Sequence, residues 1–110
     1  MRLPNSHLAI VPHAKLERYL LSTAHPVGGT KARFFLNRGF TVEHCEELST
    51  ALADLANANE ITALQVTPFG TRYIVDGTLS TPDRTNPVVR TVWFIENGED
   101  RPRFVTAYPG

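Results

Sequence analysis

A change of hydrophobic period near Glu60 limits what this chain can become more than any other feature of its sequence. Before that point apolar residues return every three or four positions, as in Leu16, Tyr19 and Leu20, and again in Val42, Cys45, Leu48, Leu52 and Leu55. That spacing places side chains on one face of a helix. After it β-branched and aromatic residues alternate: Val89, Thr91, Trp93 and Ile95 interleave with Val88, Arg90, Val92, Phe94 and Glu96. Alternation sends successive side chains to opposite faces of a strand. The expectation is an α+β domain with three N-terminal helices packed on a four-stranded antiparallel β-meander. At 110 residues, 42% of them hydrophobic, the chain suits one domain spanning residues 1–110.

Local signals set the boundaries. Met1 to Ile10 reads as an extended lead-in, and Pro12 suits the first turn of a helix to Leu21, where its missing N–H costs nothing. Ser22 to Gly29 is a loop, because His25-Pro26 and Gly28-Gly29 do not suit a helix interior. Thr30 then caps a second helix, Lys31 to Arg38, that buries Ala32, Phe35 and Leu36 and ends at a left-handed Gly39. Thr41 caps the third helix, and Asn57 and Asn59 are its stop signals, since Asn tolerates the left-handed region. Strands are expected over Thr62–Thr67, Thr71–Leu79, Val88–Glu96 and Arg103–Tyr108. Phe69-Gly70 and Asn97-Gly98 lie at two of the connections, and Asn-Gly favours a hairpin because both residues accept positive φ.

Charge and cysteine content narrow the function classes. Eleven basic residues balance eleven acidic ones, so the broad positive field of a protein that holds nucleic acid mainly by counterion release is missing. Any anion site must be local. Cys45 is the one cysteine and has no disulfide partner, which allows a reducing compartment. No apolar run approaches the ~18 residues of a membrane helix, and a cytoplasmic location is expected. The four histidines, at 7, 13, 25 and 44, show no H-E-x-x-H spacing. Neither a metal nor a cofactor is expected.

The segment His25-Pro-Val-Gly-Gly-Thr-Lys-Ala-Arg carries the strongest functional signal. Backbone N–H groups of Gly28, Gly29 and Thr30 at a helix start can converge on an anion, with Lys31 and Arg33 adding charge. The spacing is not that of a P-loop. Two readings stand side by side, anion binding or a glycine bend beside a solvated lysine. His25 is a candidate base with a near-neutral reference pKa, or a hydrogen-bonding turn residue. Arg72, Arg90 and Arg103 lie on expected strands and can share one sheet face, with Thr91 and Thr106 beside them, either to meet phosphate or as a solvated surface. Trp93 and Phe94 suit the core.

Several fragments stand in a fixed order: Leu16-x-x-Tyr-Leu-Leu, His25-Pro-x-Gly-x-x-Lys-Ala-x-x-Phe, Gly39-Phe, Pro68-x-Gly-x-x-Tyr, Val92-Trp and Thr106-Ala-x-Pro. Together they resemble a bacterial family of small domains of unknown function, over nearly the whole chain. The closing Phe104-Val-Thr-Ala-Tyr-Pro is similar, more distantly, to the last strand of toxins in the barnase, EndoU, colicin and RelE superfamily of ribonucleases. That resemblance implies metal-independent cleavage of RNA through the substrate's own 2′-hydroxyl. It further implies His25 as base, Lys31 with Arg90 or Arg103 stabilising the phosphate, and Thr106 hydrogen-bonding it. A toxin module would be secreted or delivered, within a larger host polypeptide or countered by an antitoxin. The alternative is a non-catalytic protein-binding, adaptor or immunity module, in which the Gly-Gly-Thr-Lys turn is structural.

Overall fold

The computed structural model describes residues 1–21 and 29–110, with the side chains of residues 18, 19 and 30 outside that description. It is an α+β structure with three helices and a four-stranded antiparallel sheet. Helix α1, His13–Lys15, runs on through a π-helical turn, Leu16–Leu20. Helix α2 spans Gly29–Leu36 and α3 spans Cys45–Ala58. Strands β1 (Ile61–Thr67), β2 (Gly70–Thr78), β3 (Val88–Glu96) and β4 (Arg103–Pro109) pair in the order 1-2-3-4.

One face of the sheet carries the core. Tyr73 and Val75 of β2, Val89 and Trp93 of β3, and Phe104 and Ala107 of β4 form one buried cluster with Leu48, Leu52 and Leu55 of α3. Leu16, Leu20 and Phe35 from the other helices, and Phe40 from the connection after α2, close it. Trp93 and Phe104 meet edge to face at 5.5 Å, the geometry that ring quadrupoles favour. Thr91 lies on this inner face too, fully buried. It donates to the Val75 carbonyl at 2.7 Å and accepts from the Trp93 indole at 2.8 Å, so its hydroxyl is satisfied inside the core.

Several boundaries differ from those expected. Helix α2 begins at Gly29, so Thr30 sits inside its first turn and not at its cap. Helix α3 begins at Cys45: the Thr41 hydroxyl accepts the His44 N–H at 3.3 Å, which closes a separate turn and leaves Val42 exposed. Asn59 ends α3 in an extended conformation (φ −124°), and its side-chain amide donates to the Leu55 carbonyl at 2.9 Å. That bond satisfies a last-turn carbonyl without the left-handed backbone. Gly39 does take positive φ (97°) after α2. At Asn97-Gly98 only Gly98 is left-handed (φ 83°), and the connection runs over residues 97–102, longer than a two-residue hairpin.

The lead-in acts as a strap. The Met1 carbonyl accepts the Ile61 N–H at 2.7 Å beside β1, whereas Ile10 exchanges backbone bonds with Pro102 and Phe104 at β4, 2.9 Å each. Between them a short 3-10 turn, Ser6–Leu8, shortens the path. Ten residues thus tie both edges of the sheet, and Leu3 is buried beneath them.

Candidate functional site

The register of the sheet lays out its outer face as three rungs. Gln65, Arg72, Phe94 and Arg103 form the first; Ala63, Ile74, Val92 and Thr106 the second; Asp76, Arg90 and Tyr108 the third. A bulge in β4 makes this possible: the register shifts after Val92, so Phe104 still turns inward while Arg103 and Thr106 both face outward. Strict alternation would have put them on opposite faces. Arg72, Arg90, Arg103 and Thr106 therefore share one face, and Thr91, on the inner face, does not join them.

Helix α2 reaches this face along the β4 edge. Phe35 enters the core, and Lys31, one turn earlier on the same side of the helix, extends over β4. Its ammonium donates to Thr106 Oγ1 at 3.1 Å and lies 5.4 Å from the centroid of the Tyr108 ring. A cation at that distance is attracted by the ring face. Arg33 lies two residues further along α2, on another side of the helix, and is exposed.

Beside Tyr108, Arg90 and Asp76 form a two-point pair, Nε to Oδ1 at 2.8 Å and Nη2 to Oδ2 at 2.9 Å. This matches the planar guanidinium to the carboxylate and fixes its orientation. The Arg90 hydrogen bonds hold the Asp76 carboxyl below its usual range against a smaller opposing effect of burial, with Thr62 also contributing. Arg90 is correspondingly more firmly protonated, through Asp76 first and Tyr108 to a lesser degree. The pair is close to neutral as a whole, but Nη1 keeps donors that Asp76 does not use. Arg103 sits one rung beyond Thr106 and approaches Glu96 at 3.7 Å, with both side chains more than half exposed.

Lys31, Thr106 and Arg90 are thus brought together, with Arg103 one rung away and Arg33 apart. His25 and Gly28 lie outside the described residues, Gly29 is the first residue of α2, and the Thr30 side chain is not described. Asp76 and Tyr108 belong to the arrangement although sequence reasoning missed them. Tyr108 was within reach, because it follows Thr106 by two in a strand. Asp76 became visible only once the register set it against Arg90. Cys45 is buried 3.7 Å from a Glu17 carboxylate oxygen, and burial pushes its thiol pKa up, with Glu17 adding to the effect. A raised thiol pKa disfavours the nucleophilic thiolate. No helix among the described residues is long and apolar enough to cross a membrane.

A family model described as "Domain of unknown function (DUF6883)" matches residues 2–110. No curated protein and no solved structure matches the chain.

Proposed function

The chain belongs to the DUF6883 family of domains of unknown function, and from that premise we propose that its outer sheet face holds an RNA phosphodiester and promotes metal-independent cleavage by the adjacent 2′-hydroxyl. The observation that carries this reading is the 3.1 Å contact between Lys31 and Thr106, which joins the start of α2 to the final strand beside a second, oriented cation, Arg90.

In the reaction the 2′-oxygen attacks phosphorus, its proton passes to a base, and the 5′-oxygen of the next nucleotide leaves, giving a 2′,3′-cyclic phosphate. Charge grows on the non-bridging oxygens as phosphorus becomes five-coordinate. Lys31 would meet that charge. Thr106 accepts from Lys31, which leaves its own O–H to donate to phosphate. Asp76 keeps Arg90 in one orientation, so that its remaining N–H groups need no reorganisation as charge develops. His25 is the candidate base on sequence grounds, with a reference pKa of about 6.5 that suits proton transfer near neutrality.

Purified protein incubated with single-stranded RNA in EDTA tests this reading. Cleavage leaving 2′,3′-cyclic ends is expected, with Lys31→Ala slowing it by about 10²- to 10³-fold, the usual loss for one charge-stabilising donor. Intact RNA, or rates unchanged in both Lys31→Ala and His25→Ala, would overturn it.

A further inference from the structure

Beyond the phosphate contacts, the outer face ends in a cavity of about 280 Å³ at the first rung. Phe94, half-buried, and Ile10 give it an apolar wall. Around them stand two carboxylates, Glu96 and Glu99, and three cations, Lys15, Arg101 and Arg103. This is unlike the region of Lys31 and Thr106. Cations and carboxylates share one rim, and such a mixture of donors and acceptors suits a flat, neutral ligand with both kinds of group on its edge. A nucleobase has that character, and proteins that read single-stranded RNA take splayed-out bases against aromatic or guanidinium faces and hydrogen-bond their edges.

The spacing agrees. Arg103 and Phe94 lie one rung, or two residues of β3, from Val92 and Thr106. At ~3.4 Å per residue that is roughly 7 Å, about the reach from a phosphate to the base of its own nucleotide. We infer that this cavity is the base-recognition subsite of the proposed RNA site. It accepts the base next to the phosphate held by Lys31 and Thr106, with Glu99 accepting its N–H groups and Arg101 donating to its acceptors. The inference rests on a phosphate being held where the preceding reading puts it.

Two measurements separate the claims. In the first, the four ribonucleoside 5′-monophosphates and ribose 5-phosphate, as a control lacking a base, are titrated into the protein in EDTA and followed by NMR. At least one nucleotide should bind tenfold or more tighter than ribose 5-phosphate, with the largest amide shifts at Glu96, Glu99, Arg101 and Arg103. Glu99→Gln and Arg101→Ala should remove that preference while keeping the wild-type urea midpoint. Nucleotides that bind no tighter than ribose 5-phosphate would overturn the subsite, as would a preference that survives both variants. In the second, cleavage sites are mapped on RNA of mixed sequence. A base preference that disappears in Glu99→Gln supports the subsite. Cleavage with no base preference leaves the ribonuclease reading standing and removes the subsite, whereas base-selective binding without any cleavage does the reverse.

Discussion

Lys31 and Thr106 stand 75 positions apart in the chain and meet through one hydrogen bond. Their partnership makes Thr106 the sharper probe, because Thr106→Val removes the hydroxyl and nearly preserves the volume. RNA cleavage by Thr106→Val should fall about 10²-fold, as for loss of one donor to a developing oxyanion, while thermal unfolding stays close to wild type; equal activity would exclude the hydroxyl from the reaction. Gly70 offers the opposite kind of test, of structure without chemistry. A Cβ there would run into the Ile95 carbonyl and stand 2.8 Å from both the Glu96 Cα and the Phe94 ring. Gly70→Ala should therefore destabilise by about 1–3 kcal/mol, the usual cost of overpacking, visible as a lower urea midpoint. Gly70 serves close strand approach, not a left-handed turn.

Elements set the chemistry through register. Strand β2 places Asp76 opposite Arg90, and β4 places Tyr108 beside Arg90 on its other side. Because the Asp76 carboxyl is held below its unfolded value, the pair adds stability above a pH of about 3.9 and loses it as pH falls through the lower folded value. Urea midpoints taken between pH 7 and pH 2 should show Asp76→Asn less stable than wild type at neutrality, with the gap closing below about pH 4. A gap that persists at pH 2 would mean that the substitution acts by packing and not by charge. The same register explains what sequence inspection missed. Alternation separates Thr91 from Arg90 and, taken strictly, would separate Thr106 from Arg103; the β4 bulge decides that Arg103 and Thr106 both turn outward.

On the scale of the molecule, zero net charge conceals a division. Glu46, Glu47 and Asp54 line a hollow along α3, which packs on the inner face, whereas Lys31, Arg72, Arg90 and Arg103 stand on or over the outer one, where Asp76 and Glu96 offset two of them. Affinity for RNA should accordingly come from few phosphate contacts. If Lys31 and Arg90 each neutralise one, the logarithm of the binding constant should fall with the logarithm of salt at a slope of about −1.4. Fluorescence anisotropy with a short single-stranded RNA measures this, and a slope near zero would remove the electrostatic site. The core that supports both faces centres on Trp93, fully buried against Phe104. Trp93→Ala should cost about 3–5 kcal/mol, read from denaturant unfolding.

What the sequence determined by itself was local. The shift from a period of 3.6 to one of 2 marked where helices give way to strands, and the expected strands lie within one or two residues of those formed, because alternation and turn residues act over short range. Cap positions moved by a few residues, as at Thr41, whose hydroxyl closes a turn just ahead of α3 and does not cap it. Which distant groups share a face was a matter of packing across the whole fold. The meeting of Lys31 with Thr106, the orientation of Arg90 by Asp76 and the cavity beside Phe94 all depend on strand register and on how α2 lies along β4. Those are products of packing over the whole chain, and no window of neighbouring residues contains them.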